Sequence, residues 1–276
     1  MRFQSLAVIA LGLAQPVESQ IVPAASAMSY ADLADLALAA PVVAHVRVDD
    51  ADRLGEREAP NVPLGHRRFL VEARVVALIR GAGGLPERVR WLVDLPNDAR
   101  GRPSRIRDGT EYLILAAVAP DRPDELRLVA PDAQLPYAPA TADRLREILR
   151  EALAADPPPR ITGVGRAFHV PGTLPGESET QIFLQTAENR PISLTVLRRP
   201  GERPRWAVAL GEMVDAAAEA PRPETLLWYR LACALPPSLP APSLSEAGPA
   251  EARAIRADYA LVLERLGRCE RRRAPR

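Results

Sequence analysis

Three histidines, His45, His66 and His169, are the side chains best suited to moving a proton or holding a metal near neutral pH. They lie far apart in the chain, and a joint zinc site would need two of them brought together across its halves. Each reads instead as a surface or strand-end histidine. Asp94, Asp98 and Asp108 share one loop region, where a carboxylate pair could do acid–base work of the kind used in glycoside hydrolysis. Arg100, Arg102, Arg105 and Arg107 run through the same stretch, which reads as a solvated loop with its acids balanced. Gly163-x-Gly165 lacks the third glycine of a dinucleotide fingerprint, and no G-x-S-x-G or H-E-x-x-H is present. All 36 basic residues are arginine, so a Walker A, Schiff-base or kinase-type lysine is excluded.

Cys233 and Cys269 are the two cysteines, and in an oxidising compartment they can form one disulfide. Trp91, Trp206, Trp228 and Tyr229 stand out in a chain with 4% aromatic residues. They are candidates for a binding face, with core packing as the competing use. Arg268, Arg271, Arg272, Arg273 and Arg276 form a basic tail. It can either meet an anionic lipid or envelope polymer or serve as a solubilising, frayed end.

The elements that must position these residues are mostly strands. Residues 67–80 (RRFLVEARVVALIR) place Phe69, Val71, Ala73, Val75, Ala77 and Ile79 on one side at a spacing of two. That is a long strand with one buried face, of the length that bends and pairs at both ends in a small barrel. Before it, residues 31–39 form a short helix with Ser29 as its cap, and residues 42–48 a strand. Strands follow around Val89, Trp91 and Val93, over 111–118 and over 126–130, then a helix over 142–153 stopped by Pro157-Pro158-Pro159. A domain boundary falls there. The second half reads as strands over 161–170, 180–187, 191–197 and 205–210, then helices over 224–235 and 249–266. A Cys233–Cys269 bond would fasten the last helix to the one before it.

Residues 6–14 (LAVIALGLA) after Met1-Arg2 read as a secretion signal, with small-residue cleavage sites ending at Ala14 and Ala27. The expected organisation is a signal peptide over 1–27, a barrel with its closing helix over 28–156, and a β-rich domain with terminal helices over 160–276. The fold class is α+β. A net charge of +1 gives no general attraction to nucleic acid, and no segment is apolar enough over the roughly 20 residues that a bilayer span needs.

Residues 30–130 resemble the netrin-like and metalloprotease-inhibitor type of OB barrel. The resemblance is carried by Val46, Phe69, Val71, Val75, Gly81, Val89, Gly109, Tyr112 and Leu113. It implies a five-stranded OB-like barrel. The zinc-chelating N-terminal cysteine of the animal inhibitors has no counterpart, because no cysteine precedes Cys233. The expectation is an exported periplasmic or envelope protein that binds another protein or an envelope polymer, with no catalytic, metal or cofactor residue. A peptidase inhibitor and a hydrolase with a dispersed site are the alternatives.

Overall fold

The period-two run becomes β2 (His66–Arg80), a strand of 15 residues. β2 pairs with β1 (Val42–Arg53) on one edge and β3 (Arg88–Pro96) on the other, both antiparallel. Three register shifts interrupt the β1–β2 ladder: Ile79 and Val76 are the extra residues in β2, and Asp49 is the extra residue in β1. Such bulges bend a strand and raise its twist, which lets the sheet curl on itself. β4 (Glu111–Ala119) closes the curl by pairing with β1, and β5 (Arg122–Leu128) joins β4 to β3. The ring β1-β2-β3-β5-β4-β1 is a closed five-stranded, OB-like barrel. A three-residue strand not anticipated from the sequence, β6 (Gln134–Pro136), lies on β4 beside β5's place.

The structure is a computed structural model that describes residues 28–98, 100–102, 104–211 and 219–273. The signal-peptide reading, both cleavage sites and Arg276 lie outside the described residues.

Alternation divides β1 and β4 between two cores. Ala44, Val46, Val48, Ile114 and Ala116 point into the barrel with Phe69, Val71 and Trp91. Val43, Leu113 and Leu115 point outward, against α1 (Tyr30–Ala39) and α2 (Pro139–Ala152). Burial on both faces explains why β4 reads as the continuous apolar run Leu-Ile-Leu-Ala. α2 begins three residues earlier than the expected Ala142, because Pro139 fits the first helical position, where an N–H has no partner anyway.

The same outer core continues into a four-stranded antiparallel sheet of consecutive hairpins. Its strands are β7 (Ile161–Pro171), β8 (Ser178–Thr186), β9 (Ile192–Arg198) and β10 (Arg205–Ala209). Ile182, Leu184, Leu194, Val196, Trp206 and Val208 face inward, whereas Leu210 is past the end of β10 and exposed. α3 (Leu226–Ala232) is shorter than the expected 224–235. Glu224 has φ 57°, a left-handed conformation outside the helix, and Thr225 caps the helix instead by accepting from the Trp228 N–H at 3.3 Å. α4 (Pro249–Leu266) matches the expected helix. Among the described residues, no helix is long and apolar enough to cross a membrane.

Candidate functional site

The sequence candidates for chemistry disperse in the fold. His45 is 7% exposed, not the surface histidine its strand pattern suggests. Its Nε2 lies 3.0 Å from Glu111 Oε2, and its ring stacks on Tyr137 with centroids 3.7 Å apart. The chain leaving β6 carries Tyr137 across it. His66 contacts the Leu64 carbonyl at the start of β2. His169 on β7 meets Thr180 Oγ1 on β8 at 2.8 Å, and Thr180 Oγ1 donates to Asp258 on α4 at 2.5 Å. This histidine–threonine–aspartate row looks like a relay, but Thr180 is fully buried and closed to a substrate. Arg198 Nε also donates to Asp258, at 2.7 Å, which ties α4 to the sheet.

The carboxylates of the expected loop pair also separate. Asp94 belongs to β3 and accepts two bonds from Arg68 on β2, Nε at 2.7 Å and Nη2 at 2.8 Å. The Arg68 hydrogen bonds hold its carboxyl below the usual aspartate range. Asp98 organises a tight turn by accepting the Arg100 and Arg102 N–H groups and the Arg102 side chain, each at 2.9 Å. Among the described residues, no group of three or more His, Cys, Asp or Glu is placed to hold a metal ion.

Trp91, Trp206, Trp228 and Tyr229 form no common exposed face; all four are buried. Trp91 fills the barrel and donates its Nε1–H to Gln134 Oε1 at 2.7 Å. Trp206 packs under the second sheet. Trp228 Nε1–H reaches the Leu266 carbonyl at 2.8 Å, and Tyr229 OH donates to Asp35 Oδ1 at 2.5 Å. Burial and then that bond to Asp35 push the Tyr229 phenol up to about 12. Sequence alone marks such residues as large, but only packing tells a core aromatic from a surface one.

Two concave surfaces remain on the barrel. β3 has nine residues, yet β5 pairs with it only at Arg90↔Glu125 and Trp91↔Leu126. Past Trp91, the outer edge of β3 over residues 92–96 has no strand partner among the described residues. A cleft of about 800 Å³ runs along that edge, with Leu92 49% exposed on it. Four arginines (Arg68, Arg90, Arg122, Arg127) and two carboxylates (Asp94, Glu125) line it. A hollow bordered by Leu33, Leu95 and Leu135 extends it toward α1. The second surface is at the barrel end, where Arg53, Arg102, Arg105 and Arg107 surround an opening floored by Phe69 and Tyr112. Of these four, only Arg102 has a carboxylate partner among the described residues.

The basic tail is held against the fold over part of its described length, although Arg268, Arg271 and Arg272 are exposed. Gly267, at φ 77°, turns the chain out of α4, and the Cys233–Cys269 disulfide pins it to the end of α3. Arg271 then makes a two-pronged pair with Asp35, at 2.7 and 3.2 Å. The backbone N–H groups of Arg272 and Arg273 donate to Asp32, and Arg273 pairs with Asp132 at 2.6 and 2.7 Å. Asp32 is fully buried and also completes the Ser29 capping box of α1. Burial pushes its carboxyl up, but the N–H and hydroxyl bonds from Arg272, Ser29 and Arg273 outweigh that and hold it below the ordinary value.

The fold and surfaces therefore define a class: an OB-like barrel welded by helices and a disulfide-pinned strap to an antiparallel sheet, with its larger concave surfaces on the barrel. No protein-family model matches the chain, and no curated protein matches it.

Proposed function

We propose that the chain is an exported, non-enzymatic binding module that takes an extended segment of a partner protein along the outer edge of β3. The observation that supports this reading is the open edge itself, over residues 92–96, set in a cleft. Unpaired strand N–H and C=O groups are a template for another strand, and main-chain pairing supplies affinity while flanking pockets select side chains. Arg68, Arg90 and Arg122 pair with Asp94, Asp124 and Glu125, and Arg127, without a carboxylate partner among the described residues, favours a segment that carries an acid beside it. The amino-terminal apolar segment and the Cys233–Cys269 bond support export to a periplasmic or envelope compartment.

A photo-crosslinking side chain at Leu92, compared with one at Val76, tests the reading in the cells that make the protein. The two positions are matched, at 49% and 52% exposed, and Val76 lies roughly 20 Å along β2 from Leu70, the residue facing Leu92. A discrete adduct from position 92 alone is the expected result, with hydrogen exchange at residues 92–96 slowed by the partner it identifies. Equal labelling from both positions, or exchange unaffected by the partner, removes the proposal.

A further inference from the structure

A smaller hollow sits far in sequence from the barrel surfaces and is independent of the reading above. It has a volume of about 330 Å³ and lies where the start of β7, the end of α3 and the C-terminal strap meet. Arg160, Arg230 and Arg271 line it, together with Thr162 and Tyr229, and no carboxylate does. Two of these cations are already committed. Arg160 donates its backbone N–H and Nε to Glu188, and Arg271 holds Asp35. Arg230 differs: its Nε is out of solvent and has no hydrogen-bond partner among the described residues. Its guanidinium is 5.8 Å from the centroid of the Tyr229 ring.

A buried, unpartnered donor is costly, and a guanidinium presents five N–H groups in a fixed fork. Burial depresses the pKa of Arg230, and the neighbouring charge of Arg160 depresses it further, against the pull of Tyr229 and Glu188. An anion in the hollow would offset the crowding of like charges at Arg230, Arg160 and Arg271. The hollow suits a single compact group. Fork-like guanidiniums converging from three segments match the oxygens of a tetrahedral oxyanion, with the Thr162 hydroxyl as a further donor.

The geometry points to a binding site for a phosphate or sulfate group, either as the free ion or as the end of a larger molecule, built by Arg160, Arg230 and Arg271. One wall, Arg271, belongs to the strap that the Cys233–Cys269 bond pins. Occupancy and the disulfide are therefore coupled, and by linkage each stabilises the other to the same degree.

The test is a titration of the full, disulfide-intact chain with inorganic phosphate at constant ionic strength, followed by calorimetry. Glycerol phosphate is titrated in parallel. The expected result is one saturable site per chain, weakened about tenfold or more in Arg230→Gln and in Arg160→Gln. It should be unchanged in Arg105→Gln, which removes a cation at the barrel end. Tighter binding of glycerol phosphate assigns the site to an esterified group, and equal or weaker binding assigns it to the free ion. A second readout does not depend on how well the variants fold. Phosphate should shift the equilibrium of the Cys233–Cys269 bond with a thiol–disulfide buffer about fivefold toward the disulfide in the unaltered chain. Absence of a saturable site, a loss in Arg105→Gln equal to that in Arg230→Gln, or a disulfide equilibrium indifferent to phosphate overturns the proposal.

Discussion

Asp258 shows what one buried side chain does here. It is 1% exposed, and it accepts from Thr180 on β8 and Arg198 on β9 while belonging to α4. Replacing it with alanine removes the carboxylate that accepts from the Thr180 hydroxyl and leaves Arg198 without its counter-ion. Removing one partner of a buried pair costs about 3–5 kcal/mol, and partial exposure of Arg198 puts the expectation for Asp258→Ala at about 3 kcal/mol, read from the urea midpoint. Trp91 makes a parallel case inside the barrel. Trp91→Phe keeps an aromatic ring but forfeits the bond to Gln134 and part of the filled volume, a loss of about 1–3 kcal/mol. A midpoint unchanged in either variant contradicts these roles.

At the scale of elements, the strap over residues 267–273 ties α4, α3 and α1 together. Its disulfide closes a sequence separation of 36 residues, which in the chain-entropy model contributes about 3–4 kcal/mol. The double variant Cys233→Ala/Cys269→Ala should lose about that much in chemical denaturation. The carboxylates under the strap add a pH dependence. Asp32 and Asp35 both have folded pKa values below the ordinary one, in Asp35 because Arg271 and Tyr229 bonds outweigh the effect of burial. A depressed carboxylate contributes stability that is fully present above the unfolded value, near 4, and that is lost as pH falls through the lower folded value. The stability gap between the unaltered chain and Asp32→Ala, about 1–3 kcal/mol at pH 6, should therefore narrow as the pH drops below about 4. Urea titrations of both proteins at the two pH values measure it, and a gap independent of pH contradicts the assignment.

For the molecule as a whole, the decisive feature is a core that does not stop at the proline run after α2. Leu113 and Leu115 of the barrel, Leu145 and Ile148 of α2, Leu194 of the second sheet and Ile255 of α4 belong to one buried cluster. Both sheets border one continuous core, in which α1 packs on α2 and α3, and α4 packs on α3 and the second sheet. Melting should be a single event: the fluorescence of a variant retaining only Trp91, which reports on the barrel, should change together with the far-ultraviolet signal of the whole chain. Transitions separated by several degrees would show that the two sheets unfold independently.

Local pattern was enough to make most of the elements legible. Period-two alternation marks β2 and β8 because one face of each is buried, and the apolar stripe of residues 249–266 marks α4. The two cysteines, in a chain read as exported, indicate their own pairing. Less was legible about the site. His45 looked like an outward residue because alternation describes a strand's two faces, not what later folds over the outer one. Nothing in the run from Gly267 to Arg273 announces that its charges meet Asp32, Asp35 and Asp132, because those partners lie more than a hundred residues away. The open edge of β3 and the hollow around Arg230 have the same origin. Each is a property of what fails to pair or what converges in three dimensions, whereas the sequence records periodicity along one. Local propensity and burial pattern thus determined the strands, the helices and the disulfide, and tertiary packing alone decided which arginines are neutralised and which are left facing a cavity.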